Sequence, residues 1–167
     1  MRKLIALSII MLLISCKSKK PITEKSPSEV VDAEKPMEVK SRFVKLKSSE
    51  INTLKLNKTY ALGKRLLETC NTSKFKQFSK EEATDKVIQN ATVEKISKTC
   101  QKILVRNGKF IDLSLIEIIQ DTETKDIKFR YKIVYEKKYF ERELYITLNS
   151  EGKISEIKTK ELPKKPM

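Results

Sequence analysis

The chain has 167 residues, with 36 lysine and arginine against 22 aspartate and glutamate, a net charge of +14, three cysteines, three glycines and no histidine. Without histidine there is no imidazole for acid–base catalysis, for metal ligation or for the serine and cysteine triads that depend on one. So few glycines cannot build a loop whose backbone cradles phosphates.

Met1, Arg2 and Lys3 make a short cationic start, residues 4–14 are an almost unbroken apolar run, and the run stops at Ser15 and Cys16. That is the layout of a secretory signal. An apolar run of eleven residues is about half the roughly 20 that cross a bilayer as a helix. Leu13-Ile14-Ser15-Cys16 resembles a bacterial lipobox, with a large apolar residue three places before the cleavage point, a small one immediately before it and cysteine directly after. The resemblance implies that 1–15 is a lipoprotein signal peptide, that the Cys16 thiol is alkylated with diacylglycerol and that the new amino group is acylated too. The membrane partner is then reached through the lipid anchor, durably with two or three acyl chains because each buried methylene adds about 0.8 kcal/mol. The competing reading is an ordinary secreted protein cut a few residues away. Lys17 is not the aspartate that resembles an inner-membrane retention signal, and Lys17-Ser18-Lys19-Lys20 lacks the acidic residues of a surface-export tag. The expected location is the outer membrane, facing the periplasm.

Loss of the signal removes two basic residues and no acidic one, leaving a net charge of +12. Thirty of the 36 basic residues are lysine, and arginine, the residue suited to bidentate phosphate contacts, is scarce. The lysines read as a solvating habit with loose attraction to anionic lipid or glycan, and no nucleic-acid partner is expected. Residues 16–47 carry Pro21, Pro27 and Pro36 among lysine, glutamate and serine, a composition that cannot bury a core. They read as a lipidated tether with an end-to-end distance on the order of 30 Å. Residues 48–162 suffice for one domain, and 163–167 form a tail.

From Ser49 to Cys70, Leu54, Ala61, Leu62, Leu66 and Cys70 recur mostly every third or fourth residue, which predicts an amphipathic helix. Ser79-Lys80-Glu81-Glu82 fits a capping box and predicts a short helix starting there. Val93, Ile96, Cys100, Ile103 and Leu104 predict a third helix, stopped by Asn107-Gly108. Cys70 and Cys100 are the two cysteines left in a compartment that permits disulfides. They form either a disulfide or two buried thiols on apolar stripes.

After Gly108 the period changes to two. Ile111, Leu113 and Leu115 predict one strand, Ile127 to Tyr135 a second, Phe140 to Leu148 a third and Ile154 to Lys160 a fourth, with a turn over Asn149 to Lys153. With Lys137-Lys138 in a turn, Ile127 faces Leu148, Phe129 faces Ile146, Tyr131 faces Leu144, and Lys132 meets Glu143 on the other face. The expected fold class is α+β: three N-terminal helices packed on one face of a curved four-stranded antiparallel meander.

Helices followed by such a meander, with Lys109-Phe110 entering the first strand and Gly152-Lys153-Ile154 entering the last, resemble the nuclear-transport-factor-2-like or cystatin-like group. The resemblance implies a cone whose mouth holds a small ligand, in a fold that serves isomerases, dehydratases and binding modules alike. Tyr131 and Tyr135 on the apolar face, with Arg142 and Glu117 at inward parity, are the candidate ligand pocket for an anionic or polar molecule. The competing reading puts the tyrosine hydroxyls at the sheet rim and the charges at strand ends, and a bulge near Leu115-Ile116 would turn Glu117 outward. No catalytic residue, metal ligand or cofactor is assigned. The expected function is a lipid-anchored envelope protein with a non-catalytic module for a small ligand or an envelope protein. The alternative is a histidine-free cone-fold enzyme using tyrosine and carboxylate.

Overall fold

The computed structural model describes residues 41–163; the expected signal segment, Cys16, the expected tether up to residue 40 and residues 164–167 lie outside the described residues. The described chain is an α+β domain: β1 (Phe43–Leu46), α1 (Thr53–Thr72), α2 (Asp85–Asn90), α3 (Val93–Asn107), β2 (Phe110–Asp121), β3 (Ile127–Tyr135), β4 (Arg142–Leu148) and β5 (Ile154–Glu161). The strands form one antiparallel sheet in the order β1-β2-β3-β4-β5. Among the described residues no helix is long and apolar enough to cross a membrane.

The sheet has five strands rather than four, because residues 43–46, assigned above to the tether, pair with the end of β2 from Phe43↔Asp121 to Leu46↔Ile118. Val44 and Leu46 share the face of Ile118, while Phe43 and Lys45 lie on the other. β2 is also longer than expected and carries two bulges, where Ile111 and Ile116 have no opposite residue. Each bulge resets the alternation, so Ile111, expected inside, stands exposed. The β3–β4 register is Ile127↔Leu148, Phe129↔Ile146, Tyr131↔Leu144 and Lys132↔Glu143, and their connection spans residues 136–141 rather than two.

The inner face of the sheet holds the core. Phe129, Leu144, Ile146, Leu148 and Ile154 are 0 % exposed, each contributing about 1.5–3 kcal/mol through burial. α1 lies across this face with Thr59, Leu62, Gly63, Leu67 and Cys70 buried, while Leu54 and Ala61 of the expected stripe point to solvent. At Gly63 the helix comes so close that an added Cβ would stand 2.9 Å from Leu144 Cδ2. α1 ends by pinning the edge of β2: Asn71 Nδ2 donates to the Phe110 carbonyl at 2.7 Å, and Phe110 N–H donates to Asn71 Oδ1 at 2.9 Å. Cys70 and Cys100 form a disulfide with Cα atoms 4.7 Å apart, tying α1 to α3.

The capping-box residues make an isolated turn instead of starting a helix. Ser79 N–H donates to Glu82 Oε2 at 2.9 Å, but the chain is then drawn to the sheet. Ile154 N–H donates to the Glu82 carbonyl and Thr84 N–H to the Ile154 carbonyl, both at 2.9 Å, and Ala83 bridges Ile154 in parallel. α2 therefore starts only at Asp85.

Candidate functional site

The four residues proposed as a pocket from sequence do not converge. Tyr131 is deep in the core, 1 % exposed, with its hydroxyl 2.7 Å from Thr59 Oγ1; burial pushes its pKa up to about 12. Glu117 is turned to the opposite face by the bulge at Ile116. There it accepts from Arg130 Nη1 at 2.6 Å and lies 3.4 Å from Lys45 Nζ, and the Arg130 hydrogen bond holds its carboxyl below the usual range. Arg130 also grips Glu143 through Nε at 2.8 Å and Nη2 at 2.7 Å, and the Tyr145 hydroxyl donates to Glu143 Oε2 at 2.5 Å. This network closes the middle of the outer face with its charges matched.

Tyr135 and Arg142 do come together, at the end of the inner face where β3 stops and β4 starts. Arg142 donates from Nη1 to Glu161 Oε2 at 3.0 Å and from Nη2 to Thr159 Oγ1 at 3.2 Å. Tyr135 is buried without a partner for its hydroxyl. Burial pushes its pKa up to about 12 against the opposing pull of the Arg142 charge.

α3 completes the site. Lys98, Lys102 and Arg106 recur every fourth residue and so share one face of the helix. With Thr99, Ile103, Asn107 and Arg142 they line a pocket of about 210 Å³. Arg106 donates from Nη2 to Glu161 Oε1 at 2.8 Å and stands 4.3 Å from the centre of the Phe140 ring. Lys98 is paired with Glu94 at 2.9 Å, whereas Lys102 has no ion-pair partner among the described residues. Arg106 and Arg142 thus share one carboxylate, Glu161, while Lys102 adds a further cation to the pocket lining.

Asn107 is 0 % exposed. Its Nδ2 donates to the Phe140 carbonyl at 3.1 Å, but its Oδ1 has no partner, and neither has Arg142 Nε. A buried acceptor and a buried donor are therefore left over beside a surplus of positive charge, and leaving such groups unmatched costs about 1–3 kcal/mol each. This pocket can hold a small polar anion; it contains no free carboxylate and no thiol. Sequence reading reached Arg142 and Tyr135 but took Asn107 only as a helix stop and the α3 cations as solvating lysines. The four-residue recurrence of Lys98, Lys102 and Arg106 was the available signal.

A larger groove of about 610 Å³ lies on the outer face, with Phe43, Asp126, Lys128 and Glu156 in its lining. Its Asp121 is bound by Arg42 Nη2 at 2.8 Å. Among the described residues no group of three or more cysteine or carboxylate side chains is placed to hold a metal ion. Comparison with family models, curated proteins and solved structures returned no match.

Proposed function

We propose that this chain is a lipid-anchored bacterial envelope protein, held at the periplasmic face of the outer membrane through Cys16, whose domain is a non-catalytic ligand-binding module. The domain is read as a small cone of the nuclear-transport-factor-2-like or cystatin-like kind, widened by a fifth strand, with the α3–β4 pocket at its mouth. The observation that carries the reading is the pocket of about 210 Å³ lined by Lys98, Lys102, Arg106 and Arg142, with no carboxylate in its lining. An enzyme working with tyrosine and carboxylate would need an acid inside the cone, and Glu117 is committed to Arg130 on the other face.

Native mass spectrometry on the full chain extracted from its own envelope tests the module. One-to-one excess mass that disappears in Arg142→Gln supports it; a clean protein mass in both forms rejects it. The anchor is tested separately: Cys16→Ala leaves the membrane fraction if the lipobox reading holds, and stays there if it does not.

A further inference from the structure

The last turn of α3 and the connection between β3 and β4 are joined into one surface. Lys137 N–H donates to the Asn107 carbonyl at 2.9 Å, Lys137 Nζ to the Val105 carbonyl at 3.0 Å and Asn107 Nδ2 to the Phe140 carbonyl at 3.1 Å. Lys109 and Glu136 close its other side, the Lys109 N–H donating to Glu136 Oε2 at 2.9 Å and the Glu136 N–H to the Lys109 carbonyl at 3.0 Å. From this plate two side chains stand out to solvent: Val105 and Tyr139 are each 74 % exposed. Lys102, Arg106, Lys109, Lys137 and Lys138 surround them, all exposed. The acids nearby do not balance these charges. Glu161 is shared by Arg106 and Arg142, Glu141 is paired with Lys132 at 3.3 Å, and Glu136 remains against the rest. A partner that covers this surface must therefore be anionic.

We propose that this surface docks on an anionic lipid bilayer, with Tyr139 and Val105 entering the headgroup region and the five cations meeting lipid phosphates. The residue types fit that partner. A tyrosine has an apolar ring and a hydroxyl that stays wet, which suits the boundary between acyl chains and water. Lysine stems lie along apolar surface while their ammonium groups reach outward. A protein partner would need a continuous apolar centre, which two apolar side chains set among cations do not provide, whereas a bilayer demands no matching shape. The docking needs neither Cys16 nor an occupied α3–β4 pocket, so it stands or falls apart from the function proposed above.

The chain has no tryptophan, so Tyr139→Trp in the full chain places a single reporter on this surface. Its fluorescence is followed with vesicles of phosphatidylglycerol and of phosphatidylcholine, with and without bromine on the acyl chains. The emission should shift to the blue and be quenched by bromine in phosphatidylglycerol alone, and about 0.5 M salt should reverse the effect. Adding Lys102→Glu and Lys138→Glu, at exposed side chains without an ion-pair partner among the described residues, should raise the lipid needed at least tenfold with an unchanged melting temperature. Leu54→Trp is the control. Leu54 is 75 % exposed and lies roughly 25 Å along α1 from Asn71, whose partner Phe110 is opposite Tyr135; its reporter should stay wet. A wet reporter at position 139 in phosphatidylglycerol overturns the proposal, even where the chain sediments with the vesicles through its N-terminus. So does an equal response in phosphatidylcholine, an equal response from Leu54→Trp, or indifference to the two charge reversals. If Cys16→Ala leaves the reporter's response intact while abolishing membrane fractionation, docking and anchor are separate.

Discussion

The two faces of the sheet are built from alternate residues of the same strands, yet they are held in place by different physics. On the inner face Phe129, Leu144 and Ile146 are positioned by volume, each 0 % exposed, and little but shape decides their neighbours. On the outer face Arg130, Glu117, Glu143 and Tyr145 are positioned by charge and hydrogen bonds, and Glu143, though charged, is only 3 % exposed. Where the dry face ends, at Tyr135 and Arg142, neither principle is satisfied: the groups are polar and buried, and part of their hydrogen-bonding capacity is unmatched. A binding site can arise at that seam because nothing internal completes it.

The sharpest way to break the contrast is to remove volume from the dry face. Leu144→Ala, at a residue 0 % exposed, should cost about 2–5 kcal/mol in urea unfolding. A cost under about 1 kcal/mol would mean that this face repacks freely. Next, Cys70→Ser with Cys100→Ser should remove about 3–4 kcal/mol by opening the loop between residues 30 apart in sequence. Iodoacetamide should label neither cysteine in the unreduced protein, and labelling of both would refute the bond.

Charge removal on the wet face should cost less. Arg130→Ala strips partners from Glu117 and Glu143, but with Arg130 31 % exposed water offsets much of the loss, leaving about 1–2 kcal/mol. The same variant sharpens the pH dependence. Arg130 holds both carboxyls below their usual value, so their stabilisation is fully present above about pH 4.3 and is lost as pH falls further. In Arg130→Ala that acid-sensitive component should vanish, so stability should fall less steeply below pH 4 than in the parent chain. A parent-like acid limb in the variant would place the sensitivity elsewhere.

The smallest effect tests the dry face from the alkaline side. Tyr131 and Tyr135 are both raised to about 12 from an ordinary value near 10. Their contribution is complete below about pH 10 and is lost as pH rises toward 12, because the unfolded chain ionises first. Ultraviolet titration should show Tyr131 and Tyr135 among the late-ionising members of the five tyrosines, together with Tyr60 and Tyr145, which hydrogen bonds to Asp112 and Glu143 also raise. All five ionising together near pH 10 in folded protein would show that burial does not control them.

The parts legible in the sequence were those where one rule acted alone. The β3–β4 pairing followed from alternation because both strands are regular from Ile127 to Tyr135 and from Arg142 to Leu148. β1 escaped because four residues, FVKL, beyond a proline-rich stretch are too few to show a period. The Ser79 capping box was real as a hydrogen bond, but a tertiary demand, the attachment of Glu82 and Thr84 to Ile154, overrode the helix it announced. Glu117 stood between two readings in the sequence, inward by parity or outward through a bulge near Leu115-Ile116, and packing decides for the bulge. At the site, Arg142 was visible by parity, whereas Asn107 was not, since its importance lies in an unmatched oxygen that only packing reveals.

The clasp between Asn71 and Phe110 has a consequence for how copies of this chain meet one another. β1 covers only the last part of β2, from Ile118 to Asp121, so among the described residues no strand pairs with the rest of that edge. An open border of this kind recruits strands from other molecules and seeds aggregates. The amide of Asn71 imitates a strand at the outermost point, accepting from and donating to one residue of β2 as a neighbouring chain would. The bulges at Ile111 and Ile116 spoil the regular spacing that a recruit would need. A helix side chain and two irregularities thus protect against polymerisation along the stretch that no strand covers among the described residues.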